Sequence, residues 1–214
     1  MPAIWAHGDV RTWIAMNADS RLVTNWLVGL RTSECAEATI GELASRLADR
    51  IQLTTDGKGV YLTAIEKAFG GLVDYAMLVK IYEGLGSAEQ RRYSPSRFVK
   101  TGKRRFNSSP DAAEVSTSYI ERQNLTLRMQ NRRFACLANA LSKKIENLLN
   151  SVALHFVHCN FARLHKSLRI TPAMEPGLSD HVWTIEEITR LIPDPEAKRG
   201  PYKNKHGQAA EIPN

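Results

Sequence analysis

Two acidic residues carry the strongest chemical suggestion in this sequence. Asp56 closes the short β-branched run from Ile51 to Thr55 and stands just before a predicted helix. A carboxylate at the carboxyl end of a buried strand sits at the sheet edge where α/β proteins gather their functional groups. Asp56-Gly57 is also good turn chemistry, and on this feature alone the turn is the simpler account. Glu121 lies in Thr117-Ser118-Tyr119-Ile120-Glu121-Arg122-Gln123-Asn124, where helical spacing sets Glu121, Asn124 and Arg128 on one face. A metal-binding carboxylate beside an amide and a guanidinium suits gripping a phosphodiester. A local account competes here too: Ser118 and Glu121 have capping-box spacing, so Glu121 can serve its own helix alone.

His155, His158, Cys159 and His165 raise the question of zinc. Phe156, Val157 and Phe161 interleave with them, and no second ligand pair stands at standard spacing, so the pattern argues against a zinc site. Cys35, Cys136 and Cys159 are far apart and odd in number. They read as small buried hydrophobes rather than a disulfide framework.

Charge says more about a partner. The chain has 214 residues and a formal net charge of +7, which makes a polyanion its natural partner. Arg91, Arg92, Arg97, Lys100, Lys103, Arg104 and Arg105 crowd one stretch, with Tyr93, Phe98 and Phe106 among them. Arg122, Arg128, Arg132, Arg133, Lys143 and Lys144 form a second cluster. Two such clusters around Glu121 favour DNA over a merely solvated surface. Hydrophobic content of 43% is ordinary for a soluble domain. No apolar run is long enough to span a bilayer and the first residues lack signal-peptide features, so the expected location is cytoplasmic.

These residues must be positioned by an α/β scaffold. Val10 to Asn17 and Leu22 to Val28 predict a β-hairpin around the polar turn Ala18-Asp19-Ser20-Arg21. Thr32 or Ser33 then caps a helix reaching Arg50, with Ile40, Leu43 and Leu47 at helical spacing. After the strand ending at Asp56, Tyr61, Ile65 and Phe69 mark a second helix stopped by Gly70-Gly71, and Leu72 to Ile81 a further strand. Residues 83–113 shift to Gly, Ser, Pro and basic types without periodicity and read as a basic insertion. Helix resumes near Ser118 and runs to about Leu164 with a break near Phe134. Thr184 and Glu187 have capping-box spacing at the start of a short last helix. The expected organisation is a core over 1–175, a helical appendage over 176–192 and a disordered tail over 193–214.

Three segments together resemble the DDE transposases of bacterial insertion sequences, and the group of insertion sequence one in particular. They are Leu53-Thr54-Thr55-Asp56-Gly57, the block Thr117 to Thr126, and Asn160 to Pro172. The likeness runs from about Asp9 to Ile192. It implies a ribonuclease-H-like, integrase-type fold, with three carboxylates holding two Mg2+ ions for DNA cleavage and strand transfer in transposition. Carried over by position, Asp56 is the second carboxylate and metal ligand and Glu121 the third, with Asn124 and Arg128 facing DNA. The family's first aspartate belongs on a strand before the hairpin. Asp9 precedes the hairpin and Asp19 lies in its turn, and neither matches. The resemblance therefore implies a core with its first strand missing or incomplete, inactive alone but able to bind DNA, self-associate or join an intact transposase. The alternative is a non-catalytic basic DNA-binding protein that interferes with an intact transposase.

Overall fold

The computed structural model describes residues 10–83, 97–107, 109–134 and 144–192. The chain divides into two compact units, Met1–Val182 and Trp183–Asn214. The first unit opens with the expected hairpin: β1 (Arg11–Met16) and β2 (Val23–Gly29) pair antiparallel, with Arg11 opposite Gly29. Asn17 shapes its turn, since its Oδ1 accepts from the N–H groups of Asp19 at 2.9 Å and Ser20 at 3.0 Å. Arg21 closes the turn in the left-handed region at φ 62°.

Helix α1 (Ser33–Ser45) is capped by Thr32, whose side chain accepts from the Cys35 N–H. It stops short of the expected Arg50. Strand β3 (Ile51–Asp56), α2 (Val60–Phe69) and β4 (Val73–Glu83) form a βαβ unit. The two strands run parallel, from Ile51 opposite Val73 to Asp56 opposite Leu78. Gly70 ends α2 at φ 53°, a left-handed cap that glycine adopts without a Cβ penalty. Strand β5 (Arg97–Asn107) pairs antiparallel with β4.

β5 corrects the reading of 83–113 as an aperiodic insertion. It is an edge strand in which Phe98, Val99 and Phe106 stay exposed. A strand with both faces open to water has no need of apolar alternation, and charge on an edge discourages further pairing.

Helix α3 (Ser118–Gln130) leads through a 3-10 turn at Arg132–Phe134, where the break was expected, and α4 (Ile145–Val157) continues into a π-helical turn at His158–Ala162. Alternation along the strands sends side chains to two helical layers. Trp13, Tyr75 and Met77 pack with Ile40 of α1 and Ile65 of α2. On the other side Val23 and Val28 pack with Leu127 of α3 and with Val152 and Phe156 of α4. The result is a mixed α/β unit whose three-stranded mixed sheet, β3-β4-β5, is flanked by helices. Among the described residues, no ladder joins this sheet to the β1-β2 hairpin.

In the second unit, α5 (Ile185–Arg190) starts with the capping box its spacing predicts. Thr184 Oγ1 accepts from the Glu187 N–H at 3.3 Å, and Glu187 Oε2 accepts from the Thr184 N–H at 2.7 Å. The tail from 193 onward, expected to be disordered, lies outside the described residues.

Candidate functional site

Strand register decides where Asp56 points. It stands opposite Leu78, so these two share a face, and Lys80, two residues further along β4, lies on the same face beyond the end of β3. Lys80 Nζ donates to Glu121 Oε1 at 2.5 Å, and Thr117 Oγ1 donates to the same oxygen at 2.6 Å. Asp56 and Glu121 therefore lie on one side of the sheet, at the carboxyl end of β3, with the ammonium of Lys80 between strand and helix.

The segment from 109 to 117 brings Glu121 there. Gln52 and the Asp111 backbone exchange two hydrogen bonds, at 3.0 and 2.8 Å, and Lys103 donates to the Ala112 carbonyl. Val115 is buried with Ala76 and Leu78. At the far end of the hairpin, the Arg21 guanidinium lies 3.3 Å from the centroid of the Tyr119 ring, tying the turn to the first residues of α3.

The turn account of Asp56 is realised, and the capping account of Glu121 is not. Asp56 is exposed, and its Oδ1 accepts from the Lys58 N–H at 3.3 Å, which is turn chemistry. The N-cap of α3 is Thr117, not Ser118, and it makes no side-chain cap bond. Glu121 reaches across to β4 rather than back to its own backbone. The hydrogen bond from Lys80, then that from Thr117, hold its carboxyl below the usual range, against a smaller opposing effect of burial. With 37% and 49% of the two side chains exposed, the ion pair contributes at most about 1 kcal/mol.

Three cations near Asp56 escaped the sequence reading: Lys58, Arg31 and Arg11. Burial lowers the Lys58 pKa, helped by repulsion from Arg31 and Arg11 and opposed by Asp56. Lys58 also lies 5.2 Å from the centroid of the Trp13 ring. Burial pushes the Tyr61 hydroxyl up, and the charge of Asp56 adds to this. Only Lys58, two residues beyond Asp56, gave any signal in the sequence. Arg11 on β1 and Arg31 in the link between β2 and α1 are single cations that the fold alone brings together.

The predicted DNA-facing residues divide. Asn124 lines a cavity of about 600 Å3 that also includes Asp56, and Arg128 Nε donates to the Asn124 carbonyl at 3.3 Å along the same helix. Arg132 and Arg133 follow in the 3-10 turn, the first exposed and the second half-buried. On β5, Lys103 stands opposite Leu78 and Arg105 opposite Ala76, which puts both on the face of Asp56. Arg104 stands opposite Met77 and belongs to the other face. Arg91 and Arg92 lie outside the described residues.

His155 Nε2 is 3.6 Å from Cys159 Sγ. Burial, then repulsion from His158 and Arg163, lowers the His155 pKa to about 4, which leaves the imidazole neutral. Burial raises the Cys159 thiol. Cys159 is buried as expected, Cys35 is only half-buried, and Cys136 lies outside the described residues. His165 Nδ1 is bonded to Ser167 at 3.0 Å. Among the described residues, no three His, Cys, Asp or Glu side chains converge in a metal-binding group. Among the described residues, a two-Mg2+ centre does not fit this donor set: Glu114 lines the cavity with Asp56 but joins no metal-binding group, and Glu121 already carries the Lys80 ammonium.

Asn160, which opens the third transposase-like segment, has a structural role. Its Oδ1 accepts from the Val23 N–H at 3.1 Å and its Nδ2 donates to the Val23 carbonyl at 2.9 Å, so a side-chain amide pairs with β2 as a strand would.

No protein-family model, known protein or solved structure matches this chain. Among the described residues, no helix is long and apolar enough to cross a membrane.

Proposed function

We propose that this chain is a transposase-related protein of the DDE type by descent, which binds DNA and lacks a complete catalytic centre. On this reading its fold is ribonuclease-H-like. A hairpin and a βαβ unit, with α1 and α2 packed on one side and α3 and α4 on the other side of the hairpin, support that assignment. The carrying observation is that Asp56 and Glu121, 65 positions apart in the sequence, lie on the same face at the carboxyl end of β3.

DNA binding rests on the chain's own cations and amides. Lys103 and Arg105 from β5, with Asn124 and Arg128 from α3, flank the two acids and offer a charged and a bidentate surface for phosphates. Cleavage and strand transfer need a third acid and an unoccupied Glu121. Lys80 on Glu121 favours the non-catalytic reading, in which the chain binds DNA and interferes with an intact transposase by mixed assembly.

The test is direct. The purified chain should retard duplex DNA at low salt and show no Mg2+-dependent joining of an element end to target DNA. Asp56→Ala and Glu121→Ala should leave DNA affinity within about twofold, because neither side chain neutralises phosphate. Strand transfer by the purified chain would refute the loss of catalysis, and a failure to bind DNA at low salt would remove the reading entirely.

A further inference from the structure

Two strand edges face one another across the cavity that contains Asp56. One wall is β1 along its whole length, Arg11 to Met16, and the other is β3 along its whole length, Ile51 to Asp56. Among the described residues, β1 has β2 as its one ladder partner and β3 has β4. Each strand therefore turns a row of backbone donors and acceptors toward the same slot, and such a row is a template for another strand. Thr12 Oγ1, on the slot's wall, is buried with no hydrogen-bond partner among the described residues.

The other two sides define what fits. Ile40 and Leu43 of α1, with Leu47 just beyond it, line one, and Tyr119, Ile120 and Asn124 of α3 line the other. An insert lying between two sheet edges and two helical layers must be thin and present alternating faces. That describes an extended chain, whose backbone can pair with both edges at once. Lys58 lies near Trp13 and feels Arg11, while it follows Asp56 in sequence. The start of β1 thus meets the end of β3, and the two strands run in opposite directions. An inserted strand pairs parallel with one and antiparallel with the other. At that end Arg11, Arg31 and Lys58 gather positive charge.

We propose that this slot is a strand-acceptor site for an extended segment of about six residues from another polypeptide, aliphatic on the face toward α1 and acidic at the end that meets Arg11, Arg31 and Lys58. Backbone pairing with β1 and β3 would supply affinity, and the cation cluster would set direction and preference. The inference stands on the two open edges and does not depend on the transposase reading.

The probe is a fluorescent eight-residue peptide alternating valine and threonine and ending in aspartate, titrated into the full chain at low salt. Binding is expected, together with slowed amide exchange in both β1 and β3. A peptide with proline at alternate positions should not bind. One ending in lysine should bind about fivefold more weakly, the upper range for an exposed ion pair, and Lys58→Glu should reduce that preference. Equal binding of the proline peptide, or binding without protection of β1 and β3, would overturn the proposal. So would edge protection that grows with protein concentration and no peptide, since a second copy would then fill the slot. Peptide binding that requires prior removal of residues 1–9 would likewise overturn it.

Discussion

Asn160 provides the sharpest test of how this fold is held. Its side chain makes two hydrogen bonds to the backbone of Val23, 137 positions away, and both residues are buried, at 8% and 6% exposure. Asn160→Ala removes both bonds and leaves a buried N–H and a buried carbonyl on β2 unpaired. Each such orphan costs about 1–3 kcal/mol, so the loss is expected at about 2–4 kcal/mol, measured as a shift in the urea midpoint with an unchanged slope. Asn160→Asp separates the two bonds. The carboxylate still accepts from the Val23 N–H, but its second oxygen faces the Val23 carbonyl. Burial and that carbonyl favour the protonated acid, so its pKa in the fold lies above the unfolded value of about 3.9. A group raised in the fold is fully stabilising below the unfolded pKa and loses that contribution as pH rises through the folded one. Asn160→Asp should therefore be the weaker protein at pH 7 and recover on acidification toward pH 4. A loss under about 0.5 kcal/mol for the alanine variant, or no recovery of the aspartate variant in acid, would refute the reasoning.

Lys80→Met should raise the Glu121 pKa toward the ordinary carboxylate range without fully restoring it, because Thr117 still donates, and a carboxyl-carbon NMR titration would show the change. Since the Glu121 pKa is depressed in the fold, the ion pair stabilises at neutral pH and fades as pH falls through the folded pKa, so parent and variant should converge in acid from a difference of at most about 1 kcal/mol. His155, lowered to about 4 mainly by burial, should show no imidazole titration between pH 8 and 5. Because its folded pKa lies below the unfolded one, stability should decline as pH drops below about 6.5, and a His155→Gln variant should lack that portion of the decline. DNA affinity should fall steeply with salt, and replacing both Lys103 and Arg105 should flatten the log–log slope by about 2, one for each phosphate no longer neutralised.

Features governed by neighbours in the chain were readable beforehand. The hairpin followed from a polar turn between two β-rich runs, and Asn17 and Arg21 supply its turn geometry. The Thr184 capping box and the Gly70 stop were visible because three residues or fewer decide them. β5 was not visible, because an edge strand open on both faces has no hydrophobic period to betray it. The pairing of Lys80 with Glu121 was equally hidden. It joins residues 41 positions apart through a register that only the folded sheet defines. The same register separated Arg104 from Lys103 and Arg105, which composition alone had grouped together.

Helix α3 is moored at its beginning by the half-buried Arg21 over Tyr119 and by the more exposed pair of Lys80 with Glu121. The ion pair is worth about 1 kcal/mol or less and the cation–π contact about 0.5–2 kcal/mol, and they pull toward different parts of the molecule, the hairpin tip and β4. The position of the glutamate is therefore a compromise between two anchors rather than a property of its own helix. A shift of the hairpin tip reaches Glu121 through Tyr119, two residues before it on α3.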